Sequence, residues 1–162
     1  FYSAGGRAGG YQDGEGAITR HFYDEQGRMR ATLSPEGRVS ETRYDGLGRP
    51  VEVLQRSASL AANQYYSRLV SEYDSQHNVR FERLYPRSDL GGDALITEYR
   101  YEDPVWRTHP TMMIDPRGNV SSYAYHPVLG RLTQVRGADG SQSDYTYNSL
   151  GLLERAETVV EP

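Results

Sequence analysis

A short unit, Tyr-Asp-x-x-Gly-Arg, recurs along most of this 162-residue chain. The clearest copies span residues 23–28 and 44–49, a copy one residue longer spans 125–131, and a copy without the arginine spans 147–152. Degenerate copies begin at Tyr73 and Tyr101, so the tyrosines are 21, 29, 28, 24 and 22 residues apart. Each unit is too small to bury a core alone, so the repeat predicts a stacked array whose function resides in the assembled surface and not in one catalytic cleft.

The first unit reads as a β-hairpin. Met29, Ala31 and Leu33 alternate with polar residues, which is the period of a strand with one apolar face. Residues 35–37 (Pro-Glu-Gly) supply a turn, and residues 38–44 a return strand before the next Asp-x-x-Gly turn. Because later units repeat this order, we predict an all-β fold, an elongated and curved antiparallel sheet of successive hairpins.

Tyrosine is the main aromatic residue, with 14 copies against 3 Phe and 1 Trp. The tyrosines at 99 and 101, at 123 and 125, and at 145 and 147 are two residues apart, so each pair shares one face of the sheet. Stacked units are expected to align these rings into a ladder, either as packing on a buried face, which we favour, or as an exposed surface for sugars. Leu132 and Val135 are three residues apart, and a β-bulge between them would restore the alternation.

Two regions are expected to depart from the array. Residues 1–16 are rich in glycine and poor in apolar anchors, which predicts a flexible lead or a linker between repeats. Residues 17–162 then hold about six repeats, with an insertion near 55–64 that is too short for a stable helix and is predicted to be a loop. The chain starts at Phe1 and its last copy is short, so we interpret it as a segment of a longer protein.

These motifs resemble the Rhs/YD-repeat family over residues 18–157. The run 99–104, followed by 115–125, is especially similar to bacterial Rhs proteins. The resemblance implies a sheet that spirals into a hollow shell. In Rhs effectors and Tc insecticidal toxin complexes such a shell encloses a C-terminal toxin domain, and teneurins carry a similar shell at the animal cell surface. The expected function is therefore structural: a repeat segment of a toxin shell.

The resemblance also implies partners and a location. The expected partners are further Rhs repeats of the same polypeptide, the enclosed toxin domain, subunits of a secretion system or toxin complex, and glycans. The expected location is secreted or at the bacterial cell surface. The alternative that we keep is a cell-surface module that binds carbohydrate or a partner protein.

Within the motif we expect structural roles only. The arginine is expected to pair with the aspartate of its own or of a neighbouring turn. Bacterial relatives often end the shell with a self-cleaving Asp-Pro-x-Gly segment followed by Trp and Leu, whereas residues 115–118 precede Asn119 and Val120 and resemble an ordinary turn. The predicted structural residues are Tyr23, Asp24, Gly27, Arg28, Tyr44, Asp45, Gly48, Arg49, Tyr101, Asp115, Pro116, Gly118, Tyr125, Gly130, Arg131, Tyr147 and Gly151.

Other functions find little support in the sequence. All 18 basic residues are arginine and the net charge is −4, which argues against nucleic-acid binding. There is no cysteine, the four histidines lack metal-ligand spacing, and no apolar run reaches the length of a membrane span. The aspartates fall at repeat-equivalent turns, where they cap backbone amides. We therefore predict no catalytic residue, no metal and no cofactor; a glycosidase would need two facing carboxylates about 5–10 Å apart.

Overall fold

The computed structural model describes residues 8–12, 14, 16–61, 64–87 and 92–160. The regular structure of these residues consists of thirteen β-strands, and they follow one another in the sheet in sequence order. The predicted all-β class, an antiparallel sheet of successive hairpins, is confirmed. The strands are β1 (Ala8–Gln12), β2 (Ile18–Tyr23), β3 (Met29–Leu33), β4 (Arg38–Tyr44), β5 (Pro50–Ser57), β6 (Ser67–Tyr73), β7 (Val79–Tyr85), β8 (Leu95–Arg100), β9 (Met112–Ile114), β10 (Val120–Tyr125), β11 (Leu132–Arg136), β12 (Ser141–Tyr147) and β13 (Leu153–Val160).

The chain divides into two compact units. Unit 1 comprises Phe1–Glu72 and Glu82–Leu95, and unit 2 comprises Tyr73–Phe81 and Ile96–Pro162. In unit 1 the β3–β4 pairing places Ala31 opposite Glu41. In unit 2 the β10–β11 pairing places Tyr123 opposite Val135. In an antiparallel meander the connections alternate between the two ends of the strands, so within each unit every second turn lies at the same end.

A β-bulge follows each of the four best copies of the motif. In each case the register between the strand that ends in the motif tyrosine and the following strand shifts by one residue at that tyrosine. The residue left without a partner lies on the following strand, two positions after the last residue of the motif. The bulge predicted between Leu132 and Val135 is confirmed, because Ala124 pairs with Gln134 and Tyr125 with Leu132. A bulge at a fixed place in each repeat adds the same extra twist to each hairpin. The bulged residues are Arg30, Val51, Thr133 and Glu154.

No apolar side chain is buried among the residues that the structure describes. Side chains on the strands are mostly half-buried, and β13 is exposed along its whole length. The hydrophobic effect scales with the apolar area removed from water, so its contribution within this chain is small for its length. The fold therefore depends strongly on its backbone ladder and on the polar contacts of its turns.

The structure differs from the sequence interpretation in two places. Residues 8–12, which we assigned to a flexible lead, form β1 and pair with β2 from Gly9–His21 to Gln12–Ile18; residues 1–7, 13 and 15 lie outside the described part. β5 extends to Ser57, so the connection to β6 begins later than the insertion predicted near 55–64. Both differences have one cause: the backbone ladder stabilises segments whose side chains give little sign of a strand.

Candidate functional site

The Tyr-Asp turn is the feature that the chain repeats, and its first copy is built around Asp24. The Gly27 amide donates to the Asp24 carbonyl (3.0 Å), and the Asp24 amide donates to the Arg28 carbonyl (2.9 Å). Asp24 Oδ1 accepts the amides of Gln26 (3.0 Å) and Arg28 (2.8 Å). Gly27 has φ +80°, in the left-handed region that favours glycine. The spacing of the motif is therefore that of a self-capped turn.

The motif arginine joins its own turn to the next repeat. Arg28 Nε donates to Asp24 Oδ2 (2.7 Å), so of the two pairings considered the structure shows the one within the turn. The guanidinium carbon of Arg28 also lies 4.6 Å from the centre of the Tyr44 ring. Arg131 lies 5.5 Å from the centre of the Tyr147 ring in the same way. The arginine is thus both an ion-pair donor and a cation over the tyrosine of the following copy.

The type of cap is related to the residue four positions after it. At the aspartate caps of residues 24, 45, 74 and 115 that residue is Arg or Asn and its side chain donates to Oδ2; the Asn78 and Asn119 amides donate at 3.2 and 2.8 Å. Where it is Leu152, the cap is Asn148, whose Oδ1 alone accepts the amides of residues 150 and 152 (both 3.0 Å). In these turns a carboxylate therefore occurs where a side-chain donor can pair with it. The turn at residues 34–38 departs from this relation, because Arg38 there follows a serine cap.

The motif tyrosine ties each repeat to the backbone of the one before it. The Tyr44 hydroxyl donates to the carbonyl of Met29, the residue that follows Arg28. Three further bonds of this kind lie within unit 2. They run from Tyr101 to the Val79 carbonyl (2.9 Å), from Tyr125 to the Pro110 carbonyl (2.8 Å) and from Tyr147 to the Leu132 carbonyl (2.8 Å). Sequence reasoning missed these bonds because no residue type marks the accepting carbonyl.

The predicted tyrosine ladder is different in detail. Tyr99 pairs with Met113, Tyr123 with Val135 and Tyr145 with Ala156. In these three pairings the direct cross-strand partner of the tyrosine is therefore a methionine, a valine or an alanine and not another tyrosine. All three rings are half-buried, which fits their role as sheet packing better than as a fully exposed platform.

Tyr147→Phe is expected to destabilise unit 2 by about 1 kcal/mol, since it removes one hydrogen bond and keeps the ring. The matched control is Tyr145→Phe, two residues away on the same face, because the Tyr145 hydroxyl makes no hydrogen bond within the described residues. Urea unfolding followed by circular dichroism measures both. Equal losses in the two variants would contradict the role that we assign to the hydroxyl.

The degenerate copy at residues 101–111 uses a tryptophan in place of the arginine. Asp103 Oδ1 caps the amides of Val105 and Trp106 (both 2.8 Å), and Trp106 Nε1 donates to the His126 carbonyl (3.0 Å). A Cβ atom on Gly130 would lie 3.0 Å from the Trp106 ring, as one on Gly151 would lie 3.5 Å from Arg131. An arginine or a tryptophan thus fills the same place against the glycine of the next turn. The sequence alone does not predict that a tryptophan takes the place of the motif arginine.

The predicted structural residues do not all lie in one row. In unit 1 the turns at 24–28 and 45–49 lie at one end of the strands. In unit 2 the connections at 101–111, 126–131 and 148–152 share an end, whereas the turn that contains Asp115, Pro116 and Gly118 joins β9 to β10 at the opposite end. That turn has the same internal bonds, with Asp115 Oδ1 accepting the amides of residues 117 and 119 (both 2.8 Å).

The capping carboxylates share one electrostatic property. The hydrogen bond from the Arg49 amide is the main cause that holds the pKa of Asp45 below its usual value. Partial burial opposes this effect, and the Arg49 side chain and the Leu47 amide lower the pKa further. The amides of Trp106 and Val105 lower the pKa of Asp103. The pKa is also lowered in the folded state at Asp144, which caps no turn and accepts from the side chains of Gln142 and Gln134 in the sheet. The capping carboxylates with a lowered pKa are Asp24, Asp45, Asp74, Asp103, Asp115 and Asp139.

Acid is therefore expected to weaken the fold. A carboxyl whose folded pKa lies below its unfolded value stabilises the fold above the unfolded value, near 4, and loses this contribution as the pH falls through the folded pKa. The melting temperature should stay nearly constant from about pH 7 to about pH 5 and fall steeply below about pH 4. Circular dichroism melts across this range measure it, and a rise in melting temperature below pH 4 would contradict the sign.

Two classes of site have no counterpart in the described residues. No group of three or more His, Asp or Glu side chains there is placed to hold a metal ion. No helix in the same part of the chain has the length and apolar character needed to cross a membrane.

Two comparisons of sequence find relatives of this chain. A family model described as RHS Repeat matches residues 23–58. The toxin protein Tse5 of Pseudomonas aeruginosa is 29% identical over 135 residues, which cover 76% of this chain and 10% of Tse5. The chain thus spans about a tenth of the length of that relative.

Two solved structures are similar over most of the chain. A crystal structure of TcdB2-TccC3-Cdc42 is 13% identical with a TM-score of 0.44, and covers 92% of this chain and 10% of that one. The Tc holotoxin pore of Photorhabdus luminescens is 17% identical with a TM-score of 0.47, and covers 90% of this chain and 9% of that one. The recurring Tyr-Asp turn, the RHS Repeat match over residues 23–58 and the similarity to Tse5 all point to the Rhs/YD-repeat family.

Proposed function

We propose that the chain is a repeat segment in the wall of an Rhs-type toxin shell that encloses a C-terminal toxin domain before delivery. The observation that carries this proposal is the repeated turn, whose polar groups are satisfied within the turn and whose arginine and tyrosine contact the neighbouring repeat. A unit built in this way can be added many times without a new core. The similarity to Tse5, a toxin protein, supports the assignment to toxins.

A wall function also fits the absence of a core in the described residues. A protein that acts alone normally buries apolar side chains between two layers of secondary structure. Here both faces of the strands carry half-buried side chains, which suits a single layer with contents on one side and solvent on the other. The role is structural and not catalytic.

The remaining parts of the proposal concern partners and place. The partners are further repeats of a longer polypeptide, the toxin domain that they enclose, and subunits of a toxin complex or a secretion system. The location is outside the bacterial cell or at its surface, because a toxin acts on another cell. The proposed partners and the proposed location both depend on the shell proposal and would be wrong if that proposal were wrong.

Protease protection tests the proposal on the natural polypeptide that contains this chain. The domain that follows the repeats should resist trypsin in the intact protein and be cut quickly when expressed alone. Acid below about pH 4, with pepsin as the protease, should open the capped turns and expose it, since seven turn and sheet carboxylates then lose their charge. Equal cleavage rates for the enclosed and the free domain would sink the proposal, and so would a natural product of only 162 residues.

The alternative, a surface module that binds carbohydrate, has a weaker basis. The hydroxyls of Tyr44, Tyr101, Tyr125 and Tyr147 already donate to backbone carbonyls, so they are not free to donate to a sugar. Binding of the chain to a glycan array, abolished by Tyr123→Ala on the tyrosine face, would favour this alternative over the shell.

A further inference from the structure

A concave region with a cavity volume of about 620 Å³ lies on one face of unit 1, and we call it the arginine basin. Its floor is formed by the side chains of Phe22, Leu33 and Val39, from strands β2, β3 and β4. Leu33 is opposite Val39 in the ladder, while Phe22 is opposite Ala31, so these residues share one face. Phe22 remains 36% exposed, which leaves part of its ring available to a partner.

The rim of the basin is rich in arginine. Arg56, opposite Val39, donates through Nε (3.0 Å) and Nη2 (2.6 Å) to the same oxygen of Glu41. Arg43 pairs with Glu52 (2.9 Å), yet its side chain is 78% exposed. Glu52 also accepts from Arg68, so one carboxylate lies between two guanidinium groups.

Two further arginines have no partner at all in the described part of the chain. Arg30 lines the basin as the bulged residue of β3, and Arg20 lies opposite Leu33 on β2. Both are exposed. Three arginines and one glutamate therefore line the basin, and two more arginines and Glu52 lie on the same face beside it, in a chain whose net charge is −4.

We propose that the arginine basin binds an acidic segment of polypeptide in which carboxylates flank apolar side chains. The apolar side chains would lie on Phe22, Leu33 and Val39, and the carboxylates would pair with Arg30 and Arg43. Guanidinium groups suit this role because they bind carboxylates in a planar, bidentate geometry and are less strongly hydrated than an ammonium group. Charge complementarity thus identifies the occupant by its chemistry.

The opposite face of unit 1 serves as a contrast. The concave region there is lined mainly by hydroxyl and amide side chains such as Thr32, Ser40 and Gln55, and it shares Val39 and Arg56 with the basin. It lacks the apolar floor of three side chains, and its charged lining is two arginines with one glutamate, against three arginines with one glutamate in the basin. If the chain is part of a shell, as proposed above, the basin marks the face that holds an acidic part of the contents, and this last step rests on that proposal.

Fluorescence anisotropy on the 162-residue chain tests the basin directly. The probe is a fluorescein-labelled peptide of alternating leucine and glutamate, compared with matched leucine–lysine and leucine–glutamine peptides. The glutamate peptide should bind at least tenfold more tightly than the other two, and binding should weaken at high salt. The double variant Arg30→Glu/Arg43→Glu should reduce binding tenfold or more, with an unchanged circular dichroism spectrum.

The control is Arg117→Glu in an exposed turn of unit 2, which makes the same kind of charge change and should leave binding unchanged. Equal binding of the lysine peptide, or no effect of the double variant, overturns the proposal. So does binding of phosphatidylserine vesicles in place of the peptide, because a membrane would then be the partner. The peptide assay contains no toxin domain, so a lack of peptide binding would not change the result of the protease-protection experiment. A lack of protease protection would likewise not change the result of the peptide assay.

Discussion

Gly130→Ala is expected to destabilise unit 2 by about 2–4 kcal/mol. Two costs add at this position. Gly130 has φ +63°, where a side chain costs about 1–2 kcal/mol. Its new Cβ would also lie 3.0 Å from the Trp106 ring, which the hydrogen bond to the His126 carbonyl holds in place. The ring can therefore move aside only by giving up that bond.

Gly118→Ala separates these two costs. Gly118 lies in the same unit with φ +84°, but no heavy atom lies within 4 Å of the position of its Cβ. It should show the backbone cost alone, about 1–2 kcal/mol. Urea unfolding followed by the fluorescence of Trp106, the only tryptophan in the chain, measures both variants. If the two variants lost the same stability, the packing of Trp106 against the turn would carry no weight.

Much of this fold follows from local sequence. The alternation in residues 29–33 and the turn signals at 35–37 and 45–48 predict hairpins because each depends on neighbours within a few residues. The bulge before Val135 was also predictable, since the break in alternation is itself a local signal. The pairing order of the sheet then follows from short connections, because a chain that turns after every strand pairs each strand with the next.

The contacts between repeats could not be predicted in the same way. The bond from the Tyr44 hydroxyl to the Met29 carbonyl joins residues fifteen positions apart and depends on the register of β3 against β4. The arginine basin depends on five strands that bring Arg20, Arg43 and Arg68 to one face. Likewise, the sequence of Asp115 to Gly118 matches a motif turn, and only the strand count places it at the opposite end. The register of two strands, and the end of the sheet at which a turn lies, both depend on residues that are far apart in the sequence. Neither can therefore be predicted from the residues around a single motif.

Asp45→Ala is expected to lower the melting temperature of the chain by about 5 °C. The carboxylate accepts the amides of Leu47 and Arg49 (both 2.9 Å) through Oδ1 and the Arg49 guanidinium (2.7 Å) through Oδ2. Alanine removes all of these acceptors at once. Asp45→Asn should cost less, because the amide oxygen can still cap the two backbone donors, as Asn148 does in its own turn.

The natural Asn148 turn supplies a sharper test. The residue four positions after Asn148 is Leu152, whose side chain cannot donate a hydrogen bond. This turn therefore naturally combines an asparagine cap with a leucine. Asp45→Asn places the amide group beside the Arg49 guanidinium, which then has lost its charged acceptor. The double variant Asp45→Asn/Arg49→Leu rebuilds the Asn148 type of turn and should recover part of the loss seen in Asp45→Asn.

Thermal unfolding of the wild type, Asp45→Asn, Arg49→Leu and the double variant forms a complete thermodynamic cycle. A positive coupling between positions 45 and 49 is the expected result, because the cap and its donor act as one unit. Additive losses would instead mean that the ion pair contributes nothing beyond the backbone cap. The repeat would then be specified by its aspartate and glycine alone, and the arginine would be retained for its contact with the tyrosine of the next repeat, as Arg28 makes with Tyr44.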